Sequence, residues 1–241
     1  MTSSNVDPAE IAKFEALASR WWDPSSEFRP LHQINPLRAE WIDARSPVSG
    51  KTLVDIGCGG GLLSEAMAWR GADVTGIDMG EAPLAVARIH QLESQLDVDY
   101  RQMTAEALAT EAPEQFDVVT CLEMLEHVPE PGSVIEACAK LAKPGADLYF
   151  STINRNPKAF AFAIVGAEYI LGLLPKGTHE YKKLIKPSEL ASWIRLAGLE
   201  IKEMTGLTYN PITKHYKLVK GDVSVNYMVR ATKPKSEAKH P

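Results

Sequence analysis

The sequence predicts an α/β fold with a mostly parallel, doubly wound sheet of seven strands and helices on both faces. Three observations predict it. Short apolar runs alternate with helical patterns from residue 50 to residue 232. The fourth run, 116–123, is almost continuously apolar, which is typical of a parallel strand buried on both faces. A cluster of glycines at 57–61 follows the first run, where a strand gives way to a helix.

The apolar runs place the individual elements. Strands are predicted at residues 51–57, 73–78, 98–103, 116–123, 146–154, 199–207 and 223–232. Helices are predicted at residues 61–72, 81–94, 104–112, 133–145 and 187–198. Pro83 lies in the first turn of the second of these helices, and Pro144 with Gly145 ends the fourth. Because parallel strands need crossover connections, this alternation favours the doubly wound arrangement.

The remaining segments divide the chain. Residues 50–155 and 188–233 are expected to form the core, preceded by an N-terminal helical extension at 1–49. An insert follows the fifth strand at 156–187, and a charged tail is expected at 234–241. Neither the extension nor the insert is needed to complete the sheet. Each could therefore cover the crevice at the carboxyl ends of the strands.

Composition argues against several classes of protein. The formal net charge of -5 and the pI of about 5.7 disfavour a protein that binds nucleic-acid backbone, so no nucleic-acid partner is expected. The three cysteines, at 58, 121 and 138, form no CxxC pair and indicate buried thiols in a reducing compartment. The first ten residues lack the basic and apolar regions of a signal peptide. We therefore expect a cytoplasmic protein.

The glycine cluster predicts a nucleoside-binding loop. Glycine lets the backbone approach a ligand closely, and the following helix offers its N-terminal amides to a negative group. The dinucleotide pattern GxGxxG would need glycine at position 62, where Leu62 stands. The pattern is instead GxGxG, with Asp55 two residues ahead of Gly57. Asp78 ends the second strand, and its two carboxylate oxygens suit the two hydroxyls of a ribose.

Motifs along most of the chain resemble one family. These are KFEALASRWWD, PLHQINPLR, DIGCGGG, GIDMG, CLEMLEHVP, FSTINRN, VGAEYILGLLPKGTH, IKPSEL and GLTYNPI, which lie between residues 11 and 212. Together they resemble the ubiquinone-biosynthesis O-methyltransferases, members of the class I methyltransferases that use S-adenosylmethionine (SAM). The resemblance implies a Rossmann-like fold. It also implies methylation of polyprenylated catechol-type rings at two steps, on a 2-polyprenyl-6-hydroxyphenol and on 3-demethylubiquinol.

The resemblance also implies cofactor contacts. They fall on Arg38, Gly57, Asp78 and Leu122, the last standing where methionine is common in the family. An arginine fork suits the carboxylate of the methionine half of SAM, and an apolar residue at the end of the fourth strand suits the adenine. Glu106, after the third strand, could accept a hydrogen bond from the adenine amino group. The alternative for Glu106 is an exposed helix charge.

One segment carries candidates for the chemistry. A phenol has a reference pKa of about 10, so its proton must be removed or its phenolate stabilised. Glu123, Glu126 and His127 follow the fourth strand in LEMLEHVP. His127 with Glu123 could act as a catalytic base, or all three could hold a divalent metal that lowers the phenol pKa. The resemblance implies a Mg²⁺-type requirement. The third alternative is structural, as acidic residues that favour a helix start.

The insert suggests a membrane contact. Residues 159–174 are apolar but short for a bilayer span, which needs about 20 residues. Four lysines follow, at 176, 182, 183 and 186. An apolar helix with a basic flank fits an element that contacts an anionic membrane surface, and a polyprenyl substrate would be found there. The protein is then peripheral at the inner membrane, near other ubiquinone-biosynthesis enzymes. A lid packed on the sheet is the alternative.

Other functions remain open at the level of sequence. A SAM-dependent methyltransferase of another small molecule or lipid would share every cofactor motif. A dinucleotide oxidoreductase is disfavoured by Leu62. A SAM-binding module without catalysis is disfavoured by the intact ligand crevice. A nucleic-acid methyltransferase would usually carry an Asn/Asp-Pro-Pro-aromatic motif after the fourth strand, where this chain has LEMLEHVP.

Overall fold

The computed structural model describes residues 5–160, 180–210 and 212–235. Eight strands lie within these ranges: β1 (Thr52–Ile56), β2 (Asp73–Asp78), β3 (Val98–Gln102), β4 (Phe116–Leu122), β5 (Ala142–Ile153), β6 (Glu200–Asn210), β7 (His215–Lys220) and β8 (Asn226–Thr232). They form one sheet in the order β3-β2-β1-β4-β5-β8-β6-β7. The predicted α/β class with a mostly parallel sheet is confirmed.

The sheet has a parallel and an antiparallel part. Strands β1 to β5 pair in parallel, and β8 runs antiparallel between β5 and β6. Strand β7 forms a hairpin with β6 at the edge and raises the number of strands from the predicted seven to eight. In its sequence, HYKLVK, lysines interrupt the apolar residues, and all six residues are half-exposed or exposed. Strand β7 therefore lacks the apolar run that marks a buried strand.

Helices cover both faces of the sheet. They are α1 (Pro8–Leu17), α2 (Arg29–Asp43), α3 (Leu62–Ala68), α4 (Glu81–Ser94), α5 (Ala105–Glu111), α6 (Pro131–Leu141), α7 (Pro157–Ala159) and α8 (Pro187–Leu196). Short 3₁₀ turns span Ala18–Arg20, Leu125–His127 and Tyr181–Lys183. Helix α6 ends four residues earlier than predicted, because Ala142 already pairs with Phe116 of β4.

Two apolar clusters pack on the two faces. Alternate residues of one strand reach opposite clusters: Leu53 belongs to the cluster with α2, α3 and α4, and Val54 to the cluster with α5, α6 and α8. Neighbouring β4 repeats this with Val118 and Val119. The three cysteines are buried free thiols, as the sequence predicts. The parallel part of the sheet is therefore covered on both faces, and a ligand is expected at the ends of its strands.

Part of the insert lies outside the described residues. Residues 161–179 are not described, so most of the apolar run at 159–174 and Lys176 fall there. In the ranges that are described, no helix has both the length and the apolar character needed to cross a membrane.

Candidate functional site

A cavity of about 970 Å³ opens at the carboxyl ends of the parallel strands. Its floor includes Ile56 of β1, Asp78 of β2 and Leu122 at the end of β4. Strand order reverses between β1 and β4, which is the switch point where open α/β sheets bind ligands. The N-terminal extension forms the opposite wall, with Phe14 of α1 and Ile34 of α2 among its residues.

The glycine loop forms one side of this cavity. The amides of Gly57 and Cys58 both donate to the carbonyl oxygen of Ile77, at 2.8 and 3.0 Å, which fixes the loop on β2. Gly57 has a φ of +73°, and a Cβ there would lie 2.5 Å from Cγ of Met124. Glycine at this position is therefore required by both the backbone conformation and the close packing.

Asp78 holds the glycine loop with one carboxylate oxygen and the turn after β2 with the other. Oδ2 accepts from the Gly59 amide at 2.9 Å, and Oδ1 accepts from the Gly80 amide at 2.8 Å. Burial raises the pKa of Asp78, and these amides oppose that rise. Each carboxylate oxygen can accept more than one hydrogen bond, so these contacts are compatible with a ribose diol on the same carboxylate.

Asp55 lies beneath the loop in a fully buried position. The hydroxyls of Ser64 and Thr120 each donate to one of its carboxylate oxygens at 2.7 Å. Burial raises the pKa of Asp55 to about 6 despite these two donors. Ionisation of the Asp55 carboxyl group, two residues ahead of the loop, therefore costs free energy in the folded protein. Hydroxyl groups from α3 and β4 offset part of that cost.

Two tryptophans of the extension cover the loop. Nε1 of Trp22 donates to the carbonyl oxygen of Gly60 at 2.8 Å, and the Trp22 ring stacks on His90. The buried Trp21 ring lies against Gly59 and Gly60, where any Cβ would collide with it. The sequence alone predicts no role in the site for either residue. The adjacent aromatic pair in SRWWD was the available signal, but only the fold places it on the loop.

Arg38 and Glu123 form a buried ion pair at the cavity wall. Nη2 of Arg38 donates to Oε1 of Glu123, and the Arg38 side chain is only 5% exposed. The Ser151 hydroxyl donates to the same oxygen at 2.7 Å, and Nδ2 of Asn226 lies 3.0 Å from both oxygens. Glu123 also has a positive φ of 52°, an unusual conformation that the surrounding contacts hold in place.

His127 faces the same cavity and is held by the extension. Its Nδ1 donates to Oε2 of Glu10 at 2.9 Å, and the edge of Phe14 packs on its ring. Burial opposes the charged form, but the Glu10 carboxylate and neighbouring acidic groups outweigh it and raise the pKa of His127. His127, Lys183 and Lys13 hold the pKa of Glu10 well below its usual range.

The proposed metal ligands point to three different partners. Glu123 binds Arg38, His127 binds Glu10, and the buried Glu126 accepts from the Thr152 hydroxyl at 2.8 Å. Throughout residues 5–160, 180–210 and 212–235, no three His, Cys, Asp or Glu side chains come together in a way that could hold a metal ion. The structure does not support the predicted Mg²⁺ site on Glu123, Glu126 and His127.

The two other sequence candidates also lie at the cavity. Leu122 is half-buried in its wall, at the end of β4. Glu106 lines the wall as well, but its Oε1 accepts from the Ser133 hydroxyl at 2.8 Å and from Nδ2 of Asn5 at 2.9 Å. The structure thus brings Arg38, Gly57, Asp78, Leu122, Glu106, Glu123 and His127 to one cavity.

Comparisons with known proteins agree with this arrangement. A family model described as a methyltransferase domain matches residues 31–203. A ubiquinone biosynthesis O-methyltransferase of Stutzerimonas stutzeri is 72% identical over 95% of this chain and 99% of its own length. A protein of the same name from Pseudomonas entomophila is 71% identical over 94% and 97%.

Solved structures share the fold. Magnesium protoporphyrin IX methyltransferase from Synechocystis, with bound S-adenosylhomocysteine, aligns with a TM-score of 0.68 and 21% identity over 92% of this chain and 94% of its own. A SAM-dependent methyltransferase from Thermotoga maritima aligns with a TM-score of 0.66 and 17% identity over 93% and 99%.

Proposed function

Because the chain belongs to the family of ubiquinone biosynthesis O-methyltransferases, we propose that it transfers the methyl group of SAM to a ring hydroxyl of polyprenylated catechol intermediates. Both O-methylation steps of the pathway present such a hydroxyl, so one cavity can serve both. The observation that carries the proposal is that the glycine loop, Asp78 and His127 line the same cavity. A cofactor on the loop and an acceptor beside the imidazole can therefore meet.

The cofactor half of the cavity has a candidate contact for each part of SAM. Asp78 would accept from the ribose hydroxyls, and the backbone at Gly57 allows the methionine half to approach closely. Leu122 would contact the adenine. Arg38 is a candidate for the methionine carboxylate, and its present bond to Glu123 leaves part of its five-donor guanidinium for a second anion.

The reaction is a displacement in line with the breaking bond. The bond from the acceptor oxygen to the methyl carbon forms as the bond from that carbon to sulfur breaks, leaving a methyl ether and S-adenosylhomocysteine. Holding oxygen, methyl and sulfur in line contributes up to roughly 7–11 kcal/mol. The enclosing extension also keeps water from the sulfonium.

His127 is our candidate for removing the phenol proton. Nδ1 of its ring lies 2.9 Å from Oε2 of Glu10, and the imidazole would take the phenol proton. The carboxylate of Glu10 stabilises the imidazolium that results, as in other His–carboxylate pairs. Glu123, the second catalytic candidate, is held by Arg38, Ser151 and Asn226 and is better suited to fixing the polar wall of the acceptor side. No step is assigned to a metal.

The acceptor half of the cavity suits an apolar ring. Ile153, Leu207 and Val225 line it, and the polar side chains of Glu123, His127 and Asn226 lie at the same cavity. This distribution favours a prenylated phenol over a charged small molecule.

A direct test is incubation with SAM and a short-chain prenylated catechol, with the product mass recorded. The proposal requires one added methyl group on the acceptor and formation of S-adenosylhomocysteine, with no dependence on NAD. A product methylated only when another small molecule or a lipid is supplied would support the alternative methyltransferase. Binding of NAD in place of SAM would refute both.

We also propose contact with anionic membrane, because the substrate carries a polyprenyl tail. Of the described lysines that follow the apolar run of the insert, Lys182 and Lys186 are exposed. Lys183 is different, since its ammonium group lies 2.9 Å from Glu10 and 3.3 Å from Asp7. Lys183 thus links the insert to α1, and Lys182 and Lys186 are the cations available to lipid headgroups.

A further inference from the structure

The start of β8 places an amide side chain beside the reacting groups. Asn226 is the first residue of β8 and pairs with Ile153 of β5 on one side and Leu207 of β6 on the other. Because β8 is antiparallel to β5, its first residue lies at the same edge of the sheet as the carboxyl end of β4. Asn226 therefore reaches the acceptor half of the cavity, next to Glu123.

The orientation of this amide follows from its partner. A carboxylate only accepts hydrogen bonds, so the NH₂ group of Asn226 must face Glu123. It lies 3.0 Å from each carboxylate oxygen. The amide oxygen is then directed away from Glu123. Oδ1 is buried, and among the residues that the structure describes it has no hydrogen-bond donor.

A buried amide oxygen without a donor is costly and calls for a ligand that donates. We propose that Asn226 binds the second hydroxyl of the acceptor, the one adjacent to the hydroxyl that is methylated, and so selects ortho-diols over monohydroxy phenols. This inference rests on the proposed function.

The chemistry distinguishes the two hydroxyls. The hydroxyl that is methylated gives up its proton, which we assign to His127, and an oxygen without its proton cannot donate to Asn226. Its neighbour keeps its proton through the reaction and can donate to Oδ1 throughout. An acceptor with only one hydroxyl would leave Oδ1 without a donor, and a site with an unsatisfied buried polar group discriminates against such an analogue.

A matched pair of variants separates this role from support of Glu123. Asn226→Ala removes both the donor to Glu123 and the free amide oxygen. Ser151→Ala removes another donor to Glu123, at 2.7 Å, and leaves the amide oxygen in place. Each variant is tested on a short-chain prenylated catechol and on the same compound lacking the second hydroxyl. The ratio of kcat/KM for the two compounds does not depend on the fraction of enzyme that is folded.

We expect Asn226→Ala to reduce the ratio of kcat/KM for the catechol to kcat/KM for the monohydroxy compound about tenfold. This factor corresponds to the loss of one good hydrogen bond. Ser151→Ala should lower kcat/KM for both compounds by one common factor and leave the ratio unchanged. Asn226→Asp keeps an oxygen acceptor and should keep the ratio while kcat falls. SAM affinity, measured by calorimetry, should be unchanged in all three.

The result that overturns the inference is an Asn226→Ala variant whose ratio equals that of the wild type. Asn226 would then act on the reaction only through Glu123. A wild-type enzyme that methylates neither compound with SAM would instead overturn the proposed function, and this inference with it.

Discussion

Replacement of Asp78 by alanine tests the cofactor site. In the structure each carboxylate oxygen already accepts one loop amide, at 2.9 Å from Gly59 and 2.8 Å from Gly80. The ribose hydroxyls of SAM would add charge-assisted hydrogen bonds, each contributing about 1.5–3 kcal/mol. If the net loss equals one such bond, the Kd for SAM should rise roughly 10- to 150-fold, since about 1.4 kcal/mol corresponds to a factor of ten.

Isothermal titration calorimetry with SAM and with S-adenosylhomocysteine measures this change. Asp73 provides the control, because it opens the same strand at the opposite end and is exposed. Asp73→Ala should leave the Kd unchanged. Thermal unfolding identifies any loss of the loop itself, and Asp78→Asn should show an intermediate Kd because it keeps one acceptor oxygen. Wild-type affinity in a folded Asp78→Ala variant would refute the assignment.

Three further outcomes follow from the charges described above. Burial raises the pKa of Asp55 to about 6, so the ionised carboxylate destabilises the folded protein, and the free energy of unfolding should fall as pH rises from about 4 to 6. Asp55→Asn removes up to about 3 kcal/mol of this cost at pH 8 and should raise the melting temperature there. The increase in melting temperature should be smaller at pH 5. The Glu10 carboxylate helps to raise the pKa of His127, so Glu10→Gln should move the acidic limb of the plot of kcat against pH to lower pH. A limb at the wild-type pH would exclude His127 as the base. The wild-type protein should co-sediment with anionic vesicles at low salt but not with neutral ones. The double variant Lys182→Glu/Lys186→Glu should lose this co-sedimentation and keep its activity on a soluble short-tail catechol. A wild-type protein that does not bind anionic vesicles would contradict the membrane contact.

Local sequence patterns predicted the parallel part of the fold. The apolar runs and the glycine loop depend on residues that are close in sequence, and all five strands predicted before residue 155 are present. The helix at 81–94 has the predicted bounds. Strand β7 was missed because an edge strand needs no apolar run. Its pairing with β6 is set by the hairpin rather than by burial.

Most of the predicted site residues line one cavity, but the contacts between them were not predicted. Arg38 and Glu123 are 85 residues apart in sequence, and Glu10 and His127 are 117 apart. A periodic pattern within a short stretch of sequence cannot indicate contacts between residues so far apart along the chain. The short spacing of Glu123, Glu126 and His127 suggested a shared metal, yet the 3₁₀ turn at Leu125–His127 directs their side chains to different partners. Spacing within a turn does not determine side-chain direction.

We propose that one cavity holds SAM on the glycine loop and a catechol beside His127. A crystal structure of the chain with S-adenosylhomocysteine and a short-chain prenylated catechol tests this arrangement. We expect the ribose hydroxyls on Asp78, the catechol ring in the half lined by Ile153 and Leu207, and one ring hydroxyl within hydrogen-bond distance of the His127 imidazole. A cofactor bound away from the loop, or a catechol whose hydroxyls face neither His127 nor the sulfur, would contradict the account.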